Sequence, residues 1–94
     1  MPNTAKSILQ HDNDRTRVTL WKFLPGAATG WHRHEMDYVI VPLTSGKLKM
    51  LESKGNENEV HLTLGISYFR KAGVEHDVVN VNDYEFAFLE VEFK

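Results

Sequence analysis

From Thr16 the chain alternates apolar and polar side chains in the manner of a strand (TRVTLWKFL), with Val18 and Leu20 on one face and Trp21 and Phe23 on the other. Pro25-Gly26 stops that run, and Gly30 permits a second tight turn. Residues 31–44 (WHRHEMDYVIVPLT) are rich in β-branched and aromatic types and predict a second strand, with Pro42 marking an edge or a bulge near its end. Ser45-Gly46 predicts a hairpin into KLKMLES. Short strands follow at VHLTL, HDVVNV and EFAFLEVEF, with SYFRK leading into a turn at Ala72-Gly73. The first dozen residues are polar and weakly patterned, so residues 1–14 read as an N-terminal arm or edge strand. Seven or eight short strands with turns about every ten residues predict an all-β sandwich or barrel, and no segment carries a convincing helical period.

At 94 residues, the chain has room for one domain, 1–94. The apolar fraction of 41% and charged fraction of 26% suit a soluble globular protein. No apolar run approaches the ~20 residues that cross a bilayer, and MPNTAKSILQ lacks a signal-peptide core. A net charge of −2, with 11 unclustered Lys and Arg, argues against nucleic acid as a partner. The absence of cysteine excludes thiolate metal sites, disulfides and cysteine nucleophiles, and fits a cytoplasmic location. A small barrel with edge strands also predicts a homodimer. The candidate chemistry then falls to the five histidines.

His32 and His34 are one residue apart in a predicted strand, which puts both rings on one face, their Cα atoms ~6.6 Å apart. Two imidazoles at that spacing can converge on one ion, and His76 completes the set if its strand packs beside theirs. Three nitrogens would leave coordination positions open for water, substrate or dioxygen. An H-x-H pair alone is a weak signal, since such pairs also occur as ordinary strand histidines. His11, in the polar arm, and His61 have no supporting pattern and read as non-ligands.

The flanking residues sharpen this reading. Gly26-x5-His32-x-His34 opens the stretch GAATGWHRHEMDYVIVPLTSG, which closes on Gly46. The later stretch GISYFRKAGVEHDVVN runs from Gly65 through Gly73-x2-His76-x3-Asn80. Together they resemble the two motifs of the cupin superfamily, G-x5-H-x-H-x3-4-E-x6-G and G-x5-P-x-G-x2-H-x3-N. The first stretch is also similar to small single-domain cupins grouped with a bacterial β-alanine degradation protein. The resemblance implies a cupin-type β-barrel (a double-stranded jelly roll) holding one divalent transition metal ion, Fe, Ni, Mn or Zn, on His32, His34 and His76. It implies a metal-dependent enzyme of the oxygenase, isomerase or decarboxylase kind for a small carboxylic or amino acid; a cupin that binds a small ligand without chemistry is the alternative.

The chain departs from the motifs at two places. Where the first motif supplies a carboxylate ligand, this chain has Tyr38 followed by Val39. Strand parity puts Glu35 and Asp37 on the face away from the histidines, unless a bulge turns Asp37 inward. Three neutral imidazoles would leave a divalent ion at its full +2, as in the three-histidine cupin dioxygenases. Tyr38 is therefore a candidate catalytic proton donor or, equally, an aromatic filling the barrel mouth. The second departure, Lys71 at the usual proline, reads as a solvated side chain. Met36 shares parity with His34 and is expected to line the cavity. Arg70 is the candidate fork for a carboxylate substrate, with a surface ion pair as its plainer role. Asn80 sits on the His76 face, either bonding near the site or closing a turn. Glu90 and Glu92 share a face with Phe86 and Phe88; the plainer reading is a solvated sheet face, and the alternative is that one of them enters the pocket as a base. Trp21 and Trp31 are expected in a core or an interface.

Overall fold

A computed structural model describes residues 3–94; the first two residues of the predicted 1–14 arm lie outside it. The elements are β1 (Lys6–Asp12), β2 (Thr16–Phe23), β3 (His32–Arg33), β4 (Asp37–Pro42), β5 (Gly46–Leu51), β6 (Glu57–Leu62), β7 (Tyr68–Arg70), β8 (Glu75–Asn80) and β9 (Phe86–Phe93). A single 3-10 turn at Ser53–Gly55 joins β5 to β6. Five strands form one sheet in the order β1-β2-β9-β4-β7, and four form the other in the order β3-β8-β5-β6. All strand pairs are antiparallel. The fold is the all-β jelly roll that the sequence pattern predicts.

Alternation along each strand sorts the side chains. On β9 the burial switches at every residue from Phe86 to Glu90, and on β4 from Asp37 to Pro42. The inward set, Phe23, Tyr38, Ile40, Leu48, Met50, Val78, Phe86 and Phe88, forms one core between the sheets. Burying such side chains contributes roughly 1.5–3 kcal/mol each, which holds the two sheets together without disulfides. Phe23 and Phe88 meet with ring centroids 5.4 Å apart in a tilted contact.

Three features of the sequence pattern resolve differently in the folded chain. The N-terminal arm is the edge strand β1, held on β2, and all its residues are exposed, which is why it carries no apolar alternation. The run from Trp31 to Thr44 is not one strand: it leaves the smaller sheet after Arg33 and enters the larger one at Asp37. Pro42 is tolerated at the end of β4 because β7 pairs only with Tyr38–Ile40; beyond that pairing the proline needs only its carbonyl, which accepts from the Gly65 N–H at 2.9 Å.

The closed end of the barrel is organised by Asn80. It is 1% exposed, and its amide donates to the carbonyls of Phe23 (3.1 Å), Leu24 (3.3 Å) and Tyr84 (2.9 Å). Its Oδ1 accepts from the Asn82 backbone N–H at 2.9 Å and the Asn82 amide at 2.8 Å. Asn80 is therefore corrected from a ligand-binding residue to a clamp: no donor or acceptor is left over, and it lies outside the cavity wall. Asn82 and Tyr84 press on Gly46, where a Cβ would stand 2.5 Å from the Tyr84 hydroxyl and 2.8 Å from Asn82 Oδ1. A side chain at that motif position would push this corner open.

Candidate metal centre

The pairing of β3 with β8 inside the smaller sheet is what brings the histidines together. His32 on β3 pairs directly with His76 on β8, and Arg33 pairs with Glu75. Just beyond β3, the His34 N–H donates to the Val74 carbonyl and the His34 carbonyl accepts from Gly73, each at 2.8 Å. His34 and His76 are 6% and 5% exposed, and His32 is half-buried. His34 Nε2 lies 3.1 Å from His32 Nε2 and 3.0 Å from His76 Nε2. The three ligand nitrogens all lie within 4.8 Å of one another, and these are the residues the motif spacing selects.

The donor chemistry fits a cation. Two nitrogens ~2.1 Å from one ion stand roughly 3.0 Å apart at a right angle and roughly 3.4 Å apart at a tetrahedral angle. The two spacings from His34 Nε2 match the first arrangement. One lone pair or one proton on His34 Nε2 cannot serve two neighbouring ring nitrogens well, whereas a shared cation satisfies all three. His32 is already set as a donor of the correct tautomer. Its Nδ1 is 2.9 Å from the Gly30 carbonyl, which can only accept, so Nδ1 carries a proton and Nε2 is the nitrogen turned to the cluster. Gly30 makes this possible with φ +87°, a conformation few side chains adopt, while its own N–H is fixed by Asp77 at 3.0 Å. His34 and His76 are held neutral. Burial drives His34 down to about 4 and His76 down to about 3, with the neighbouring imidazoles and Arg70 adding to the effect.

A cavity of about 340 Å³ opens over the rings. Met36 and Tyr38 are in its wall, as parity predicts, together with Trp21, Tyr68, Phe88 and Glu90. Tyr38 stacks on His34 with centroids 3.9 Å apart and planes 18° apart. The phenol is 1% exposed, its hydroxyl has no partner among the described residues, and burial holds its pKa well above the ordinary phenol value. Tyr68 is pushed up to about 12 for the same reason.

Other expectations are corrected. Glu90 is not on a solvated face: it is 8% exposed, at the centre of the larger sheet's inner surface, and the Trp21 indole donates to it at 3.4 Å. Burial, then the nearby charge of Glu92, raise its pKa to about 7. Glu92 also lines the cavity, nearer the mouth and less buried. Arg70 is opposite Tyr38 in register, but it lines a separate open cleft with Lys71, Glu52 and Glu75 and not the histidine cavity. No ion pair forms on it among the described residues, so the plainer surface-pair role is not found either. Trp21 is half-buried in the cavity wall, whereas Trp31 is 54% exposed and not in the core. Asp37 stays on the outer side, where its carboxylate accepts the Ala72 N–H at 2.8 Å. No helix among the described residues is long and apolar enough to cross a membrane.

The comparisons with known proteins agree with this architecture. The family model described as "Cupin domain" matches residues 19–92. A Pseudomonas aeruginosa protein named beta-alanine degradation protein BauB is 51% identical over 90 residues, covering 96% of this chain and 94% of its own. The crystal structure of a cupin domain from Bordetella pertussis Tohama I superposes with a TM-score of 0.97 at 49% identity, covering 100% of this chain and 97% of that one. A crystal structure from Thermus thermophilus is similar at 27% identity and a TM-score of 0.74, covering 96% and 83%. By fold, by paired motifs and by these matches, the chain belongs to the cupin family.

Proposed function

We propose that this cupin is a metal-dependent enzyme acting on a small carboxylic or amino acid, with His32, His34 and His76 holding one divalent transition ion. The observation that carries this reading is the convergence of three ring nitrogens, with His34 Nε2 3.0–3.1 Å from the other two, beside a cavity sized for a small molecule. Nitrogen donors favour Fe, Ni, Mn or Zn over calcium. When bound, such an ion supplies Lewis-acid activation or redox chemistry at its open positions. The chain's own residues do the rest. Tyr38 holds the His34 ring by stacking, and its unpartnered hydroxyl stays protonated and is assigned to donate to the bound ligand. Trp21, Tyr68 and Phe88 exclude water around the reacting group. Met36 gives the wall a soft edge. The likeness to a beta-alanine degradation protein over nearly the whole of both chains points to a short amino acid such as β-alanine.

The test is turnover by protein loaded in turn with each of the four metals. The assay follows oxygen uptake and product formation on a panel of C2–C5 amino and carboxylic acids that includes β-alanine. Metal-dependent turnover of one class of acid is the expected result. Metal-dependent binding without turnover on the whole panel would favour the alternative, a non-catalytic ligand-binding cupin in the cytoplasm.

A second copy of the chain is proposed to cover the outer face of the larger sheet. In register there, Ile8, Leu20 and Leu89 form one apolar row and Val18, Val91, Val39 and Phe69 another, and Ile8, Phe69 and Phe93 are exposed. Five strands ~4.8 Å apart and ~20–25 Å long offer several hundred Å², near the ~800 Å² per partner of stable interfaces. Sedimentation should show a dimer at micromolar concentration and at least tenfold weaker association in Phe69→Lys. A monomeric wild type removes this proposal.

A further inference from the structure

Glu90 is a buried carboxylate with no cationic side chain of Lys or Arg paired to it among the described residues. Its cross-strand neighbours are Thr19 on β2 and Ile40 on β4, and neither can compensate a negative charge. A buried charge of that kind is costly unless something positive or proton-bearing faces it. Two groups do. Oε1 receives the Trp21 indole N–H at 3.4 Å, a long bond. Oε2 lies 3.6 Å from His34 Nδ1, on the side of the ring away from the converging Nε2 atoms. Glu90 is therefore placed behind a ligand and not among the ligands; the three-nitrogen cluster does not include it.

The histidines differ in what holds their outer nitrogen. His32 Nδ1 has the Gly30 carbonyl. His34 Nδ1 has only Glu90 within ion-pair range. The missing carboxylate at Tyr38 supplies the other half of the argument. A ligating carboxylate would lower a divalent ion's charge from +2 to +1, and Tyr38 cannot. A carboxylate accepting the Nδ1–H of a ligating imidazole makes that imidazole a stronger donor and places the same unit of negative charge one ring further out. We infer that Glu90 is a positioning residue of this metal centre, fixing His34 as the Nδ1–H tautomer and supplying from β9 the negative charge that the first motif lacks. The inference rests on the three-histidine metal reading. The 3.6 Å contact is an ion-pair distance, longer than a ~2.9 Å hydrogen bond, and the inference requires it to shorten when the ion is bound.

The experiment uses zinc-loaded full-length protein and its Glu90→Gln variant, read by zinc affinity in chelator competition and by long-range imidazole ¹H–¹⁵N correlation. In the wild type, His34 is expected as the Nδ1–H tautomer with a slowly exchanging, strongly downfield proton. In Glu90→Gln that proton moves upfield and the zinc dissociation constant rises roughly 10–100-fold, the usual cost of losing an outer partner. His32 is the internal control, because its proton goes to the Gly30 carbonyl and must not move. Zinc affinity within twofold of wild type with an unchanged His34 signal overturns the role of Glu90 alone. Equal displacement of His32 and His34 with a lowered metal-free melting temperature also overturns it, showing a packing role. No zinc uptake by the wild type overturns the metal reading on which it stands.

Discussion

Replacing His76 by alanine should abolish stoichiometric uptake of a divalent transition ion. The structure offers three ring nitrogens and no carboxylate within the same cluster, so removal of one leaves two donors. Loss of a ligand should cost more than the roughly 10–100-fold typical of an outer partner. The effect reaches stability through mass action, since an ion at 100 times its dissociation constant adds about 2.7 kcal/mol to the folded state. Titration calorimetry and thermal melts with and without chelator measure both quantities. The wild type should take up one ion per chain and melt several degrees higher when loaded. His76→Ala should melt at one temperature in metal and in chelator. A His61→Ala control, outside the cluster on β6, should behave as wild type. A wild-type melting curve indifferent to Zn, Fe, Ni and Mn would remove the metal centre.

How much of this is legible in the sequence depends on the range of the interaction. His32, His34 and Tyr38 fall on one side by parity alone, and parity survives the sheet crossing because the three-residue link of His34, Glu35 and Met36 leaves an even step of four from His34 to Tyr38. That His76 sits directly opposite His32 is a pairing between strands more than forty residues apart, and only the family motif points to it. Glu90 shows the opposite failure. Alternation correctly groups it with Phe86 and Phe88, but its charge makes the face look solvated. Two phenylalanines on that face already demand an inward direction, so the glutamate is buried with them. Asn80 fits its motif position and still misleads, because its partners are backbone carbonyls that leave no trace in side-chain patterning. Arg70 illustrates a finer limit. Register places it beside Tyr38, yet the cleft into which it opens depends on the packing of β7 against the loop at Ser53.

On acidification, metal-free protein should lose stability in two stages, with Glu90 setting the boundary between them. The folded-state pKa values of His34 and His76 are depressed by burial to about 4 and about 3, against 6.5 in an unfolded chain. Between those values the unfolded chain binds more protons, so stability present above pH 6.5 is lost as pH falls. Glu90 acts in the other direction. Its folded value is raised to about 7 from 4.5, so the folded chain holds an extra proton in that window and gains stability on acidification. Each group changes stability by about 1.4 kcal/mol per pH unit inside its window. From pH 6.5 to 4.5 two histidines oppose one glutamate, a net loss of about 1.4 kcal/mol per unit and about 3 kcal/mol across the range. Below 4.5 the glutamate no longer opposes them, and the slope roughly doubles until His34 is protonated. The loss accumulated by pH 4 is about 4 kcal/mol, a large share of a total of about 5–15 kcal/mol. Urea unfolding in chelator at pH 7, 5.5, 4.5 and 4 measures the two slopes. Glu90→Gln removes the opposing proton, so its loss between pH 6.5 and 4.5 should be about twice that of the wild type. A flat profile in Glu90→Gln over that interval would show that the buried rings are not held neutral against the solvent's protons, and equal slopes in the two proteins would show that Glu90 holds no extra proton in the folded chain.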